Sequence, residues 1–226
     1  MRGTLINIAT VLVGSILGLT LKQRIPARLT NPVVQAIGLF TMVLGMNMAQ
    51  GAKNLLVVLF SLVLGGVIGE FLDIEGRLDG LGRWFETRLQ ASGDGFNKGF
   101  IAASLLFCVG PMSIVGSIED GLYGNYQILL TKSIMDGVCS IAFASTLGIG
   151  VPFSALVILF FQGGISLAAS LVRPFMTDSV ITAMTAVGGV MILGIGINLL
   201  ELRKLKIANL LPALAVAVLL SAIWSS

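Results

Sequence analysis

Eight apolar runs, each long enough to cross a lipid bilayer as a helix, take up most of this chain of 226 residues. A membrane-spanning helix needs about 20 mostly apolar residues, and continuous runs lack the alternation of barrel strands. Only 11% of the residues are charged and the mean hydropathy is +0.99, whereas soluble domains carry about 25% charged residues. The runs cover residues 3–21, 33–50, 54–72, 99–118, 128–147, 153–172, 181–200 and 207–224. The sequence therefore predicts an all-α, polytopic transmembrane helix bundle of about eight spans, forming one integral membrane domain over residues 1–226.

The composition argues against catalysis and cofactor binding. The chain has no His, which removes the commonest metal ligand and the usual proton shuttle near neutral pH. Its two cysteines, Cys108 and Cys139, lie within apolar runs and are expected to be buried free thiols. No phosphate-binding loop or catalytic triad pattern is present. We therefore expect no enzyme activity, no metal site and no cofactor.

The basic residues predict the orientation in the membrane. With eight spans both termini lie on one side, and ten of the fourteen basic residues fall in connections on the opposite side. They are Lys22, Arg24, Arg28, Arg77, Arg83, Arg88, Lys98, Arg203, Lys204 and Lys206. Because basic connections remain in the cytoplasm, both termini are expected outside. The basic residues flank the spans and do not form a basic patch, so nucleic acid is not an expected partner. The lipid bilayer is the expected partner.

The long connection 73–98 carries apolar residues at spacings of three and four between charged ones. This periodicity is typical of an amphipathic helix. We interpret the segment as a helix on the cytoplasmic interface, either a passive surface link or a gating or coupling element.

A short match between the two ends of the chain indicates an internal repeat. The run Gly45-Met46-Asn47-Met48 resembles Gly196-Ile197-Asn198-Leu199, and the same offset carries Lys53 onto Lys204. Spans 1–3 would then correspond to spans 6–8 in the opposite orientation. Inverted repeats are a recurring design of secondary transporters, with the site near the repeat interface. Chance recurrence of Gly, Leu and Asn in apolar helices is the alternative.

Gly110-Pro111 predicts an interruption within the fourth run. A proline inside a helix removes one backbone hydrogen bond, and the adjacent glycine loosens the backbone further. Ser104 and Ser113 lie on either side of the break. Freed carbonyls and hydroxyls at such a place can hold an ion or solute when they line a cavity; a simple proline kink is the alternative. Pro212 predicts a second break in the eighth run.

Asp136 is the candidate for the centre of a site. A charge at mid-membrane depth costs about 2.5 kcal/mol or more, so such residues face a protein interior or a wet cavity. Lys132 lies four residues earlier, on the same helical face, where it can form a local ion pair that lowers the cost of insertion. The alternative is that Asp136 binds a cation or takes up a proton.

Further polar residues are weaker candidates for binding an ion. Glu119 and Asp120 close the fourth run on the outer side, either as a solvated loop or as a vestibule that attracts cations. The amides of Asn47 and Asn198 gain interest if the repeat is real. Intramembrane amides, among them Asn7, Gln162 and Asn209, are otherwise expected to form interhelical hydrogen bonds worth about 0.6 kcal/mol each.

Small residues at four-residue spacing predict faces where helices approach closely. Gly14 and Gly18 form one such face, and Ser61, Gly65 and Gly69 form another. These faces also allow a homo-oligomer, although the sequence fixes no stoichiometry.

Three runs, 104–122, 144–151 and 208–214, resemble a widespread bacterial membrane family labelled YqgA/YdfK-like and described as a domain of unknown function. The resemblance extends over essentially the whole chain and is most specific at Ser104-Leu-Leu-Phe-Cys-Val-Gly-Pro-Met-Ser-Ile-Val-Gly-Ser-Ile-Glu-Asp-Gly-Leu122. It implies a polytopic protein of the bacterial inner membrane and a suggested role in transport. It carries over no site residues and no substrate.

Two functions remain open from the sequence. The first is a secondary transporter or channel for a small solute or ion, with Asp136 and the break at Gly110-Pro111 at the centre of the pathway. The second is a non-transporting membrane scaffold or assembly partner, which would need the small-residue faces but no pathway.

Overall fold

The computed structural model describes residues 1–22, 27–77, 80 and 96–224, and most of these residues are helical, with no strand among them. The α-helices are α1 (Arg2–Lys22), α2 (Ala27–Gln50), α3 (Leu55–Leu72), α4 (Phe96–Cys108), α5 (Pro111–Tyr123), α6 (Gln127–Leu147), α7 (Gly150–Leu167), α8 (Ala169–Val172), α9 (Asp178–Leu199) and α10 (Pro212–Trp224). Two 3₁₀ turns cover Arg173–Phe175 and Ile207–Leu210. The all-helical architecture expected from the sequence is confirmed.

Six of these helices are long and apolar enough to cross a membrane: α1, α2 from Pro32 onward, α3, α6, α7 and α9. The pair formed by α4 and α5 is bent by 59° at the break and counts as a seventh span if it is one broken helix. The eighth predicted run forms only a shorter apolar segment, Ile207–Ile223. The helical membrane class is confirmed, and the count of eight spans stays a prediction.

The chain divides into two compact units. Unit 1 comprises Met1–Val34 and Gly82–Pro174, and unit 2 comprises Gln35–Leu81 and Phe175–Ser226. Most of the expected interfacial helix, 73–98, lies outside the described residues.

Local chemistry fixes several helix ends. The Asn54 side chain caps α3 by accepting hydrogen bonds from the amides of Leu56 and Val57, and Thr177 caps α9 in the same way through Val180. Such caps satisfy amides that have no partner within the first turn. The C-terminus of α5 is capped by Gly124, whose φ of 67° favours glycine.

In unit 1, α1 packs along α6 in parallel orientation. A methyl group on Gly14 would overlap Ser140 Oγ and the Gly137 carbonyl, and one on Gly18 would overlap the Ile141 carbonyl. The backbones therefore approach as closely as small-residue faces allow. The packing role predicted for Gly14 and Gly18 is confirmed.

In unit 2, α3 packs against the 3₁₀ turn Ile207–Leu210 and the first turn of α10. Gly69 lies against the carbonyl of Asn209, and Gly65 against the backbone of Ala213. Ser61, one turn earlier, is fully buried. The second predicted small-residue face is therefore also a packing face. The break expected at Pro212 is present, because a 3₁₀ turn ends at Leu210 and α10 begins at the proline.

The opposite surface of α3 is apolar and exposed. Its large side chains are between 43% (Ile68) and 88% (Phe71) exposed. They are Leu55, Leu56, Leu59, Phe60, Val63, Leu64, Val67, Ile68, Phe71 and Leu72. A surface of this kind suits contact with lipid tails.

Candidate functional site

Lys132 and Asp136 form an ion pair inside unit 1. Lys132 Nζ lies 2.8 Å from Asp136 Oδ1 and 2.7 Å from Asp136 Oδ2, and the two residues are only 7% and 5% exposed. Asp136 lies about 14 Å along α6 from its first residue, at about 1.5 Å per residue. It is therefore near the middle of a hydrocarbon core about 30 Å thick. The local ion pair that the spacing of four predicts is formed.

Two amides from other helices complete the site. Asn7 Nδ2 of α1 donates to Asp136 Oδ2 over 3.0 Å and to Gln162 Oε1 of α7 over 3.3 Å. Asn7 and Gln162 are fully buried. We call Asn7, Lys132, Asp136 and Gln162 the polar cluster. The polar cluster joins α1, α6 and α7 at the depth of the ion pair between Lys132 and Asp136.

The polar cluster is not fully satisfied. Among the described residues, Asn7 Oδ1 and Gln162 Nε2 are buried without a hydrogen-bond partner, and so is Thr4 Oγ1 one turn before Asn7 on α1. A buried polar atom without a partner costs about 1–3 kcal/mol. Such atoms in a native structure point to a water, an ion or a ligand that would complete them. The cluster can therefore offer both an acceptor and a donor to a small polar group.

The helix break lies near the polar cluster. The helix α4 ends at Cys108 and α5 restarts at Pro111, and Ser113 Oγ bridges the break by donating to the Phe107 carbonyl over 2.9 Å. Cys108 is buried and lies within electrostatic reach of Lys132 and Asp136. The predicted interruption is thus confirmed, and one of its carbonyls is satisfied by a hydroxyl. Ser104 is half-buried, and its Oγ has no partner among the described residues.

Glu119 and Asp120 have different environments. Asp120 is 4% exposed, accepts a hydrogen bond from the Gly3 amide over 3.0 Å and pairs with the Met1 amine over 3.0 Å. Carboxylates are stabilised by the free amides at the start of a helix, so Asp120 anchors the beginning of α1. The first of the two alternatives, a solvated loop, was wrong for Asp120, while Glu119 is half-buried. The second, a vestibule that attracts cations, stays a prediction.

Asn47 and Asn198 belong to unit 2. Asn47 is exposed on α2. Asn198 donates to the Leu205 carbonyl and accepts from the Leu205 amide, both over 2.8 Å. Asn198 therefore fixes the turn after α9, and among the described residues it makes no hydrogen bond to another span.

Unit 2 contains a group of interacting polar side chains that the sequence analysis did not predict. Asn209 Nδ2 donates to Glu70 Oε2 over 2.6 Å, and Asn209 Oδ1 accepts from the Glu75 amide over 2.7 Å. Lys206 Nζ also donates to Glu70, whose carboxylate holds the pKa of Lys206 above its ordinary value. These contacts tie the end of α3 to the segment before α10.

The sequence identified Asp136 and Lys132 but not their partners. Asn7 and Gln162 were recognised only as intramembrane amides, because nothing local to either residue names the helix that it faces. The available signal was that each amide lies beside small residues, Thr4 and Gly163, which permit close approach of a neighbouring helix.

Comparison with known proteins agrees with the membrane architecture. Residues 2–222 match the family described as "Protein of unknown function (DUF554)". The uncharacterized membrane protein YdfK of Bacillus subtilis (strain 168) is 35% identical over 220 residues, which cover 96% of this chain and 93% of that protein. The uncharacterized protein YqgA of Escherichia coli (strain K12) is 31% identical over 231 residues, 99% of this chain and 97% of that protein. No solved structure matches the chain.

The family match spans nearly the whole chain, and both relatives are aligned over more than nine-tenths of their length. The resemblance noted from the sequence motifs is therefore confirmed: the chain belongs to the DUF554 family, with relatives named YdfK and YqgA.

Proposed function

We propose that the protein is a secondary transporter or channel that moves a small solute or ion across the bacterial cytoplasmic membrane. One observation carries the proposal: the polar cluster lies at mid-membrane depth and contains two charges and two amide atoms without partners. Ionisable residues at that depth are expensive and are characteristic of ion and substrate pathways. A protein that needed only a stable bundle could place apolar residues at these positions.

Contacts between α2 and α9 support an inverted repeat. Gly45 lies against α9, where a methyl group on it would be 2.6 Å from both the Gly189 carbonyl and the Leu193 amide nitrogen. The sequence match pairs Gly45 with Gly196, 151 positions later. The same offset pairs Gly189 and Leu193 with residues 38 and 42 of α2.

The reciprocal contact is also made. A methyl group on Gly196 would be 2.9 Å from the Gly38 carbonyl and 3.0 Å from the Met42 amide nitrogen. A two-fold axis between α2 and α9 requires this reciprocity, since each contact must occur twice with the helices exchanged. The proposed correspondence of spans 1–3 with spans 6–8 therefore has a geometric argument besides the sequence match.

The other two pairs of corresponding helices are α1 with α7 and α3 with α10. The two helices of each pair pack antiparallel, as an inverted repeat requires. Lys22 at the end of α1 lies beside Gly148, just before α7 begins, while Thr4 lies beside Gly163 near the end of α7. The contacts of Gly65 and Gly69 with Ala213 and Asn209 run in reverse order along α3 and α10. Transporters with inverted repeats place their sites near the repeat interface at the midplane.

We also propose that both termini are outside and that the basic connections are cytoplasmic. The parallel packing of α1 and α6, the first and fifth predicted spans, agrees with the predicted order of the first five spans, since odd-numbered spans must all cross in one direction. The positive-inside rule then assigns the direction.

Flux measurements in proteoliposomes test the proposal. The wild-type protein and Asp136→Asn are reconstituted and given a panel of alkali cations, protons and small metabolites, with dyes for internal pH and membrane potential. We expect a flux in the wild type that Asp136→Asn abolishes while remaining folded. The matched control is Ser133→Ala on the same helix, because within the described part of the chain Ser133 Oγ bonds only its own helix, at the Leu129 carbonyl.

A scaffold or assembly partner is the second candidate, and one observation favours it. Lys132 neutralises Asp136 within a single helix, so the pair can act as a membrane-insertion device without carrying anything. On this alternative no solute crosses the vesicle membrane, and Asp136→Asn changes only stability. That result would replace the transport proposal.

A further inference from the structure

A cavity lies between three helices of unit 2. The helices α3, α9 and α10 pack against one another, and at the beginning of α3 and α9 they enclose a cavity of about 80 Å³. A single buried water needs roughly 10–15 Å³ of such space, so the cavity has room for several waters or for one small polyatomic group. All of its lining residues belong to unit 2, whereas the polar cluster belongs to unit 1. The cavity is therefore a second candidate site.

The polar side chains that line the cavity can all donate hydrogen bonds, and one of them is positively charged. They are Lys53, Asn54, Ser179, Thr182 and Ser221. Lys53 is exposed and makes no ion pair with a described residue. Asn54 Oδ1 caps α3, which leaves the amino group of the same carboxamide for a ligand. Among the described residues no acid lines the cavity. A wall of donors with one fixed cation favours an anion.

The hydroxyl of Ser221 indicates that the cavity takes a ligand. Ser221 is only 6% exposed and lines the cavity, yet its hydroxyl has no hydrogen-bond partner among the described residues. Other buried hydroxyls on helices, such as those of Ser117 and Ser133, donate to a carbonyl one turn earlier. A buried hydroxyl without a partner is unfavourable unless a water or a ligand completes it.

Two helices begin at the cavity. The helix α3 starts at Leu55 and α9 at Asp178, and the lining residues Asn54 and Ser179 lie at these two ends. The free amides at the start of a helix carry a partial positive charge of about half an elementary charge, which attracts anions. The last turn of α10 has the opposite sign, but the two helix starts and Lys53 outweigh it. Asp178 is exposed and does not line the cavity.

We infer that this cavity binds a phosphate group, with Lys53 as the ionic contact and the hydroxyls of Ser179, Thr182 and Ser221 as donors. Lysine is a common phosphate ligand because its ammonium acts as a point charge. The oxygens of a phosphate point in several directions, as donors from separate helices require, whereas the two oxygens of a carboxylate lie in one plane. The inference does not depend on the proposed transport function.

Free phosphate and the headgroup of a phospholipid share this chemistry. The cavity lies at the ends of two membrane-spanning helices, at the depth where the polar headgroup region begins. Exposed apolar side chains of α3, those of Leu55, Leu56 and Leu59, begin beside the cavity. A phospholipid whose headgroup occupied the cavity would lay its tails along this surface. The test must therefore separate the two sources.

Phosphate binding by the purified full chain in dodecyl maltoside tests the inference. Equilibrium dialysis with radiolabelled inorganic phosphate measures the dissociation constant, with sodium chloride at equal ionic strength as the reference. Native mass spectrometry after addition of phosphatidylglycerol, or of a phosphate-free glucosyl diacylglycerol, measures lipid retention. We expect the wild type to bind inorganic phosphate or to retain phosphatidylglycerol selectively. Binding in the dialysis assigns a free anion to the cavity, and selective retention of the phospholipid alone assigns a lipid headgroup.

Substitutions in the cavity should weaken this binding. Lys53→Gln removes the charge and should weaken binding roughly tenfold or more, the factor typical of a hydrogen bond to a charged group. Ser221→Ala should weaken binding about fivefold by removing one donor, and Lys53→Arg should retain it. The matched control is Lys204→Gln, an exposed basic residue at the corresponding position of the proposed repeat, which does not line the cavity. This control should bind as the wild type does.

Elution volume and the thermal unfolding midpoint verify the fold of each variant. Lys53 is exposed, so its replacement should leave the protein folded. Failure of the wild type to bind inorganic phosphate, together with equal retention of the two lipids, would overturn the inference. Binding that survives both Lys53→Gln and Ser221→Ala, or that Lys204→Gln weakens equally, would overturn it as well. Flux through proteoliposomes tests the proposed function separately, since Asp136 does not line this cavity.

Discussion

The ammonium of Lys132 contacts both carboxylate oxygens of Asp136 from one turn earlier on the same helix, at 2.7 and 2.8 Å. Because both partners belong to α6, this helix enters the bilayer without net charge at its centre. Asn7 adds a third hydrogen bond from α1, which ties the pair to the packed interior of unit 1. The pair thus links the insertion of one helix to the assembly of three.

Removing one partner of this pair should destabilise the protein more than removing both. Lys132→Met or Asp136→Leu leaves an unpaired buried charge, for which about 3–5 kcal/mol is typical, whereas apolar replacement of both partners is often neutral. Thermal or denaturant unfolding in detergent compares the stability of the two single variants and of the double variant with that of the wild type. Additive losses in the double variant would show that the two residues do not interact.

Close packing of α1 on α6 should make Gly14 intolerant of even one methyl group. Gly14→Ala overlaps Ser140 Oγ and the backbone of Gly137, and overpacking typically costs about 1–3 kcal/mol. The matched control is Gly164→Ala, since a Cβ there meets no atom of the described residues within 4 Å. That control should be neutral or slightly stabilising through helix propensity. Equal effects of the two substitutions on the unfolding midpoint would contradict the packing.

The contact between Lys206 and Glu70 should stabilise unit 2 in a pH-dependent way. The hydrogen bond from Lys206 to Glu70 raises the pKa of Lys206 above its ordinary value. A group whose pKa is raised on folding contributes fully below its unfolded pKa and loses that contribution as pH rises through the raised value. Wild type and Lys206→Gln should therefore differ in unfolding midpoint at neutral pH and converge in strong alkali. A constant difference across this range would argue against the ion pair.

The inverted repeat and the charge bias together predict that residues 53 and 204 face opposite sides of the membrane. Lys53→Cys and Lys204→Cys are introduced separately after Cys108→Ala and Cys139→Ala, and intact cells are treated with a membrane-impermeant maleimide. We expect labelling of Lys53→Cys from outside and of Lys204→Cys only after lysis. Labelling of both from the same side would refute the orientation and the span count together.

Features set by neighbouring residues could be predicted from the sequence. The helical membrane class follows from the length of the apolar runs. The break between Cys108 and Pro111 follows from a proline that cannot continue a helix. The pair of Lys132 and Asp136 follows from their spacing of four. Each of these needs only the geometry of one helix.

The partners of the cluster are long-range and could not be predicted. Asn7 and Asp136 are 129 positions apart, and Asn7 and Gln162 are 155 apart. In a membrane the lipid-facing and protein-facing sides of a helix are both apolar, so periodicity does not say which side turns inward. Asp120 shows the same effect: adjacent acids at a helix end were expected in solvent, and packing at the start of α1 buried one of them.

The sequence by itself determined what kind of protein this is, since apolar length, a proline and the spacing of a Lys and an Asp act locally along the backbone. Tertiary structure alone decided which helices meet. Close contacts at Gly14 and Gly18 bring α1 onto α6, and this docking carries Asn7 to Asp136. The physical reason is that close packing at small residues selects helix partners by shape. Hydropathy, the clearest feature of the sequence, is nearly the same on every apolar face and cannot distinguish one partner from another.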